Sequence, residues 1–127
     1  MADHANLPYD LIERLNILVG KCSKVQQAAS KIARHGVDGS DPRRKGSDNM
    51  TDLEATIGEL MCIIELFMMM GDLHPEVVGQ FLHKEANELQ SWTHHQSLKA
   101  LQTLYSGVQD EEIIETVPLI LKPDSTQ

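Results

Sequence analysis

Apolar residues recur along the first third of the chain at alternating spacings of four and three: Leu11, Leu15, Leu18, Cys22, Val25, Ala29 and Ile32. This is the heptad-like stripe of an α-helix that packs along a second helix. The pattern predicts a helix from about Pro8 to Arg34, with proline in its first turn and Gly36 at its exit. A second stripe, Leu53, Ile57, Leu60, Ile64 and Phe67, has the same spacing. Thr51 reads as its N-cap and Glu54 as the completion of a capping box, giving a helix from Asp52 to about Met70 that Gly71 ends. Between them, residues 36–50 form a polar loop with three glycines and one proline. Two matched stripes joined by a loop predict an antiparallel helix pair.

His74-Pro75 opens a third helix whose apolar face is Val77, Phe81, Ala86, Leu89 and Trp92. It continues, with a break near His94-His95, through Leu98, Leu101 and Leu104 to Gly107. Residues 108–127 have a mixed pattern. Asp110 to Glu115 is acidic and can start a short helix. Val117-Pro118-Leu119-Ile120-Leu121 is apolar but carries a proline, so an extended segment is expected, able to pack on a neighbouring subunit. The resulting picture is an all-α domain over 1–107 followed by a tail over 108–127.

Composition supports the helical reading. Aromatic residues are only 4% of the chain, so the core rests on Leu, Ile, Val, Met and Ala. A net charge of −8 argues against general binding of nucleic-acid backbones. Cys22 and Cys62 fall inside apolar helical patterns and are expected as buried thiols in a reducing compartment, not as a disulfide. No signal peptide is visible. The longest apolar stretch, Leu60 to Met70, is broken by Glu65 and falls short of the ~20 residues that span a bilayer. A cytoplasmic protein without a membrane anchor is expected.

Two runs carry more specific information. The first is Leu18-Val19-Gly20-Lys21-Cys22-Ser23-Lys24-Val25-Gln26-Gln27-Ala28-Ala29-Ser30-Lys31-Ile32. The second is Leu53-Glu54-Ala55-Thr56-Ile57-Gly58-Glu59-Leu60, followed by the exit Met70-Gly71-Asp72-Leu73-His74. Over about residues 7–80 the chain resembles the MazG-like, all-α nucleoside triphosphate pyrophosphohydrolases, especially their short phage and bacterial forms. The resemblance implies a helical bundle assembled as a homodimer or a dimer of dimers. It also implies Mg²⁺ held by a Glu-Glu-x-x-Glu cluster on one helix and a Glu-x-x-Asp pair on the next.

The metal-binding positions depart from that pattern. They read Gly20, Lys21 and Lys24, then Thr56 and Glu59. Mg²⁺ is a hard cation that takes oxygen ligands in octahedral geometry. A protonated lysine offers only donors, glycine offers no side chain, and threonine is a weak neutral ligand. Five family carboxylates are thus replaced by a set with a net charge of +1. No cofactor is expected. The resemblance then points to a family member without metal-dependent hydrolysis, which acts by binding a nucleotide or a host or partner protein. The competing expectation is an active (d)NTP pyrophosphohydrolase that yields the monophosphate and pyrophosphate. It would need Mg²⁺ on Glu59 with replacement carboxylates from Glu54, Glu85 or Glu88.

Lys21 and Lys24, three residues apart, share a helical face and can neutralise phosphate as point charges. Arg43, Arg44 and Lys45, the only basic triplet, can add to such a pocket from the loop. The plainer expectation is that these lysines pair with Glu59 or reach solvent, and that the triplet is solubilising. Other features read most simply as structural. Glu111-Glu112-Ile113-Ile114-Glu115 has the family spacing but lies in the wrong order, as a surface acidic turn. Glu85 and Glu88 suit an exposed face. His94 and His95 diverge by ~100° on a helix, and His83 lies too far away to join them. Met68, Met69 and Met70 suit core and helix-end packing. There is no nucleophile elbow, Walker loop or dinucleotide fingerprint.

Overall fold

A computed structural model describes residues 6–38 and 48–106, and among them every regular element is an α-helix. The order is α1 (Tyr9–His35), α2 (Asn49–Met69), α3 (Pro75–Trp92) and α4 (Leu98–Ser106). The chain divides into two compact units, Met1–Asp72 and Leu73–Gln127. The triplet Arg43-Arg44-Lys45, the acidic run from Glu111 to Glu115 and the segment Val117–Leu121 lie outside the described residues.

The first unit is the α1–α2 hairpin. Pro8 sits at the N-cap of α1, and its carbonyl accepts from the Ile12 N–H at 3.1 Å. Gly36, at φ +88°, stops the helix with its N–H on the Ile32 carbonyl. Asp48, not Thr51, caps α2: its carboxylate accepts from the Thr51 N–H at 2.7 Å, and the helix starts at Asn49 instead of Asp52. Aspartate is at least as good an N-cap as threonine. The earlier start also places Asn49 on the hairpin seam, where it is 2% exposed and donates to the Gly36 carbonyl at 3.0 Å. At the far end, Gly71 takes φ +83°. Its N–H bonds the Met68 carbonyl and that of Asp72 bonds the Phe67 carbonyl, a Schellman closure.

The helices are antiparallel, because partners that rise in number along α1 fall along α2. Asn49 meets Gly36, Lys31 meets Asp52, Lys21 and Lys24 meet Glu59, and Arg14 meets Asp72. The α1 seam runs through Leu11, Arg14, Leu18, Lys21, Val25, Ala28 and Ile32, all buried or half-buried. Expectation and structure therefore differ at every second position: Leu15, Cys22 and Ala29 are exposed, and Arg14, Lys21 and Ala28 point inward. On α2 the same offset makes Ile63 the buried residue beside Phe67, while Ile57 and Ile64 are half-buried on one flank. Two polar seam positions are the reason. An arginine and a lysine turned inward find carboxylates across the seam, so hydrophobicity alone misassigns the face.

Three further expectations are corrected. Cys22 and Cys62 are both exposed, since each sits beside the seam and not on it. Met69 and Met70 are exposed and only Met68 is half-buried, because the helix ends there before more chain can cover it. In the second unit, α3 and α4 pack around Ala86 and Leu101, whereas Val77, Phe81 and Trp92 stay largely exposed. The break between α3 and α4 contains His94 and His95, as the sequence predicts. Ser97 restarts the helix, its hydroxyl accepting from the Ala100 N–H at 3.1 Å. No helix among the described residues is long and apolar enough to cross a membrane.

Candidate functional site

Charge is segregated between the two helices of the hairpin. From Arg14 to Val37 every Lys, Arg, Asp or Glu is basic: Arg14, Lys21, Lys24, Lys31 and Arg34. From Asp48 to Asp72 every one is acidic: Asp48, Asp52, Glu54, Glu59, Glu65 and Asp72. Antiparallel pairing brings the two series together on one flank. Lys24 and Lys31 are seven residues apart on α1, and Asp52 and Glu59 are seven apart on α2. Each set therefore lines one side of its helix, and the two sides face each other.

Between them lies an open cleft of about 320 Å³, lined by Lys24, Gln27, Lys31, Asp52, Thr56 and Glu59. Ala28 and Ala55, with short side chains, also line it. Glu59 is the hub. Its Oε1 accepts from the Lys21 ammonium at 3.0 Å, and the Lys24 ammonium stands 3.9 Å away. The hydrogen bond and charge of Lys21, with a smaller contribution from Lys24, hold the Glu59 carboxyl below its ordinary value of 4.5. Lys31 lies 3.9 Å from Asp52. These partly exposed pairs contribute little to stability; they match basic positions of α1 with acidic positions of α2 in the antiparallel register.

Of Gly20, Lys21, Lys24, Thr56 and Glu59, the structure brings Lys21 and Lys24 to Glu59 and sets Thr56 in the same cleft, a donor set that does not suit Mg²⁺. Gly20 is exposed, and a Cβ built there would meet nothing within 4 Å. The Thr56 hydroxyl donates to the Leu53 carbonyl at 2.9 Å, inside its own helix. Glu59 is the single carboxylate of the five, and it is engaged by an ammonium at hydrogen-bond distance. Among the described residues no group of three or more His, Cys, Asp or Glu side chains could hold a metal ion. Glu54, Glu85 and Glu88 are exposed.

Sequence reasoning singled out Lys21, Lys24 and Glu59 but missed Gln27, Lys31 and Asp52. The available signal was the seven-residue repeat of like charges, Lys24/Lys31 and Asp52/Glu59, read across two helices. No protein-family model, curated protein or solved structure matches the chain significantly.

Proposed function

We propose that this chain is a MazG-like helical protein that acts by binding and not by metal-dependent hydrolysis. Its ligand is a phosphate-bearing nucleotide seated against Lys24 and Lys31, or a partner protein, and the chain assembles as a homodimer or a dimer of dimers. The observation that carries the reading is the Lys21–Glu59–Lys24 cluster. Where the resembled enzymes need several converging carboxylates, one carboxylate here lies within 4.0 Å of two ammonium groups. Lysine is a competent phosphate partner and a poor metal neighbour. Gln27 adds an amide that can serve a phosphate oxygen or a ribose hydroxyl from the cleft wall.

Two measurements test this. A panel of (d)NTPs incubated with Mg²⁺ or Mn²⁺ is expected to show no turnover; robust turnover that disappears in Glu59→Ala overturns the reading. Titration calorimetry with the same nucleotides in EDTA is expected to show binding that weakens at least about tenfold in Lys24→Ala/Lys31→Ala. Absence of nucleotide binding removes the phosphate ligand and leaves the partner protein.

A further inference from the structure

A second open pocket lies beside the cleft, along the last turns of α1. It has a volume of about 460 Å³ and is lined by Gln26, Gln27, Ser30, Lys31 and Arg34. It shares Gln27 and Lys31 with the cleft but has no carboxylate among these lining residues. At about 100° per residue the five positions fall within an arc of about 140° on one side of α1. Ser30 and Arg34 stand at the middle of that arc, and Lys31 at the edge toward Lys24. Helical side chains lean toward the N-terminal end of their helix, a bias that carries Arg34 back toward Ser30.

The charges here are not balanced as they are elsewhere on the helix. Arg14 holds Asp10 and Asp72, and Lys21 and Lys24 share Glu59. Lys31 stands 3.9 Å from Asp52, beyond hydrogen-bond range. Arg34 is exposed and makes no ion pair with any described residue. A cation in the last turn complements the helix dipole, which accounts for Arg34 as a charge alone. It does not account for the hydroxyl and two amides gathered in the same pocket. The dipole's partial negative charge opposes an anion, but it falls off within the last turn, and Ser30, Lys31 and both glutamines precede that turn.

We propose that this pocket is an anion site for a phosphomonoester group, held by Arg34, Lys31 and Ser30 without metal and without Glu59. Such a group carries a charge of about −1.5 to −2 near neutral pH, which two cations match. The guanidinium fork serves two of its oxygens, and the ammonium a third as a point charge. The Ser30 hydroxyl and the Gln26 and Gln27 amides supply neutral donors at the rim. A nucleic-acid backbone is disfavoured by the chain's net charge of −8. The site is independent of the nucleotide reading of the cleft, since inorganic phosphate alone suffices to fill it.

The test titrates inorganic phosphate into the full ¹⁵N-labelled chain in EDTA, at constant ionic strength with chloride as the reference. Saturable amide shifts are expected over residues 26–34. Because Arg34 is exposed, its exchange leaves the fold in place, which circular dichroism checks. Arg34→Gln is expected to weaken binding at least about tenfold, and Ser30→Ala about threefold. Arg34→Lys keeps the charge but not the fork and recovers only part of the loss. Lys24→Ala and Glu59→Gln are expected to leave binding within about twofold, since neither residue lines the pocket. Adenosine monophosphate in the same titration identifies the source. Affinity equal to phosphate supports recognition of the free ion, and affinity at least about tenfold higher supports the phosphate end of a nucleotide. Shifts no larger than those from chloride, or unchanged by Arg34→Gln, overturn the site. Binding lost in Lys24→Ala but kept in Arg34→Gln also overturns it, while placing the anion in the cleft of the proposed function. Nucleotide binding without phosphate binding overturns this site and leaves that function standing.

Discussion

Arg14 holds Asp72 with two donors: Nη2 lies 2.6 Å and Nε 2.8 Å from the same carboxylate oxygen. Its third nitrogen reaches Asp10 at 2.7 Å, and the guanidinium lies over the Phe67 ring, 5.8 Å from its centroid. One side chain, 7% exposed, thereby ties the first turn of α1 to the closing turn of α2. Asp10 and Asp72 hold the arginine still further toward its charged form, the Asp10 hydrogen bond acting most.

A lysine cannot reproduce this geometry, since a single ammonium lacks the planar fork that serves two carboxylates while stacking on a ring. Arg14→Lys is expected to lower the thermal midpoint by several degrees, recovering little of the loss seen in Arg14→Leu. Asp72→Asn should lose less in the Arg14→Leu background than alone. Thermal unfolding followed by circular dichroism across this double-mutant cycle gives the coupling directly.

Among the described residues, three glycines lie inside helices with open space around them: Gly20, Gly58 and Gly79. Each exchange to alanine is expected to raise stability by about 0.5–1 kcal/mol, because a helical glycine loses more chain entropy on folding than alanine does. Gly71→Ala should do the opposite and cost about 1–3 kcal/mol, its φ of +83° being a region that side chains avoid. Denaturant melts of the four variants separate the two classes by sign.

Asp10, Asp48 and Glu59 all have carboxyl groups held below their ordinary values of 3.8, 3.8 and 4.5, by Arg14, by the Thr51 N–H and by Lys21 respectively. Each loses its proton more readily in the folded chain, so the unfolded chain binds more protons as the medium turns acid. The stability these groups contribute is complete above their ordinary values. It is lost as pH falls through that range toward the lowered ones. Unfolding free energy is therefore expected to be flat from neutrality to about pH 5 and to drop below it. Glu59→Gln and Asp10→Asn should each make the drop shallower.

Carboxylates can be built into the cleft by substitution. Gly20 has room for a side chain, and Lys21 and Lys24 already converge on Glu59. Gly20→Glu/Lys21→Glu/Lys24→Glu adds three carboxylates on α1, two of them at positions whose side chains now reach Glu59. Titration calorimetry with Mn²⁺ is expected to give binding in the triple variant and none in the parent chain. Equal binding by both would show that the parent's own donor set suffices for the cation.

Helix positions were legible in the sequence because Pro8, Gly36, Gly71, Pro75 and the His94-His95 break mark ends by backbone chemistry that tertiary contacts do not override. The seam was legible only to within one residue. Leu15, Cys22 and Ala29 look like better core residues than Arg14, Lys21 and Ala28 until the acidic partners on α2 are placed opposite. An inward arginine is favourable only with Asp10 and Asp72 in reach, and that pairing spans 58 positions of sequence. The two exposed cysteines follow from the same one-residue rotation. Asn49 was hidden for a related reason: its value is the bond to Gly36 across the turn, which no pattern within α2 displays.

The separation of basic and acidic series also decides which wrong structures the hairpin avoids. Sliding α2 by one heptad toward its own N-terminal end would set Lys31 against Glu59, Lys24 against Leu66, and leave Arg14 past the end of the helix. Sliding it the other way would move Lys24 from Glu59 to Asp52 and Arg14 from Asp72 to Glu65, and draw Lys31 off α2 altogether. Hydrophobic contacts tolerate either slip, since apolar residues recur every few positions along both helices. The ion pairs do not. They act as a vernier: a slipped alignment satisfies some of the marks, and the observed alignment satisfies all of them.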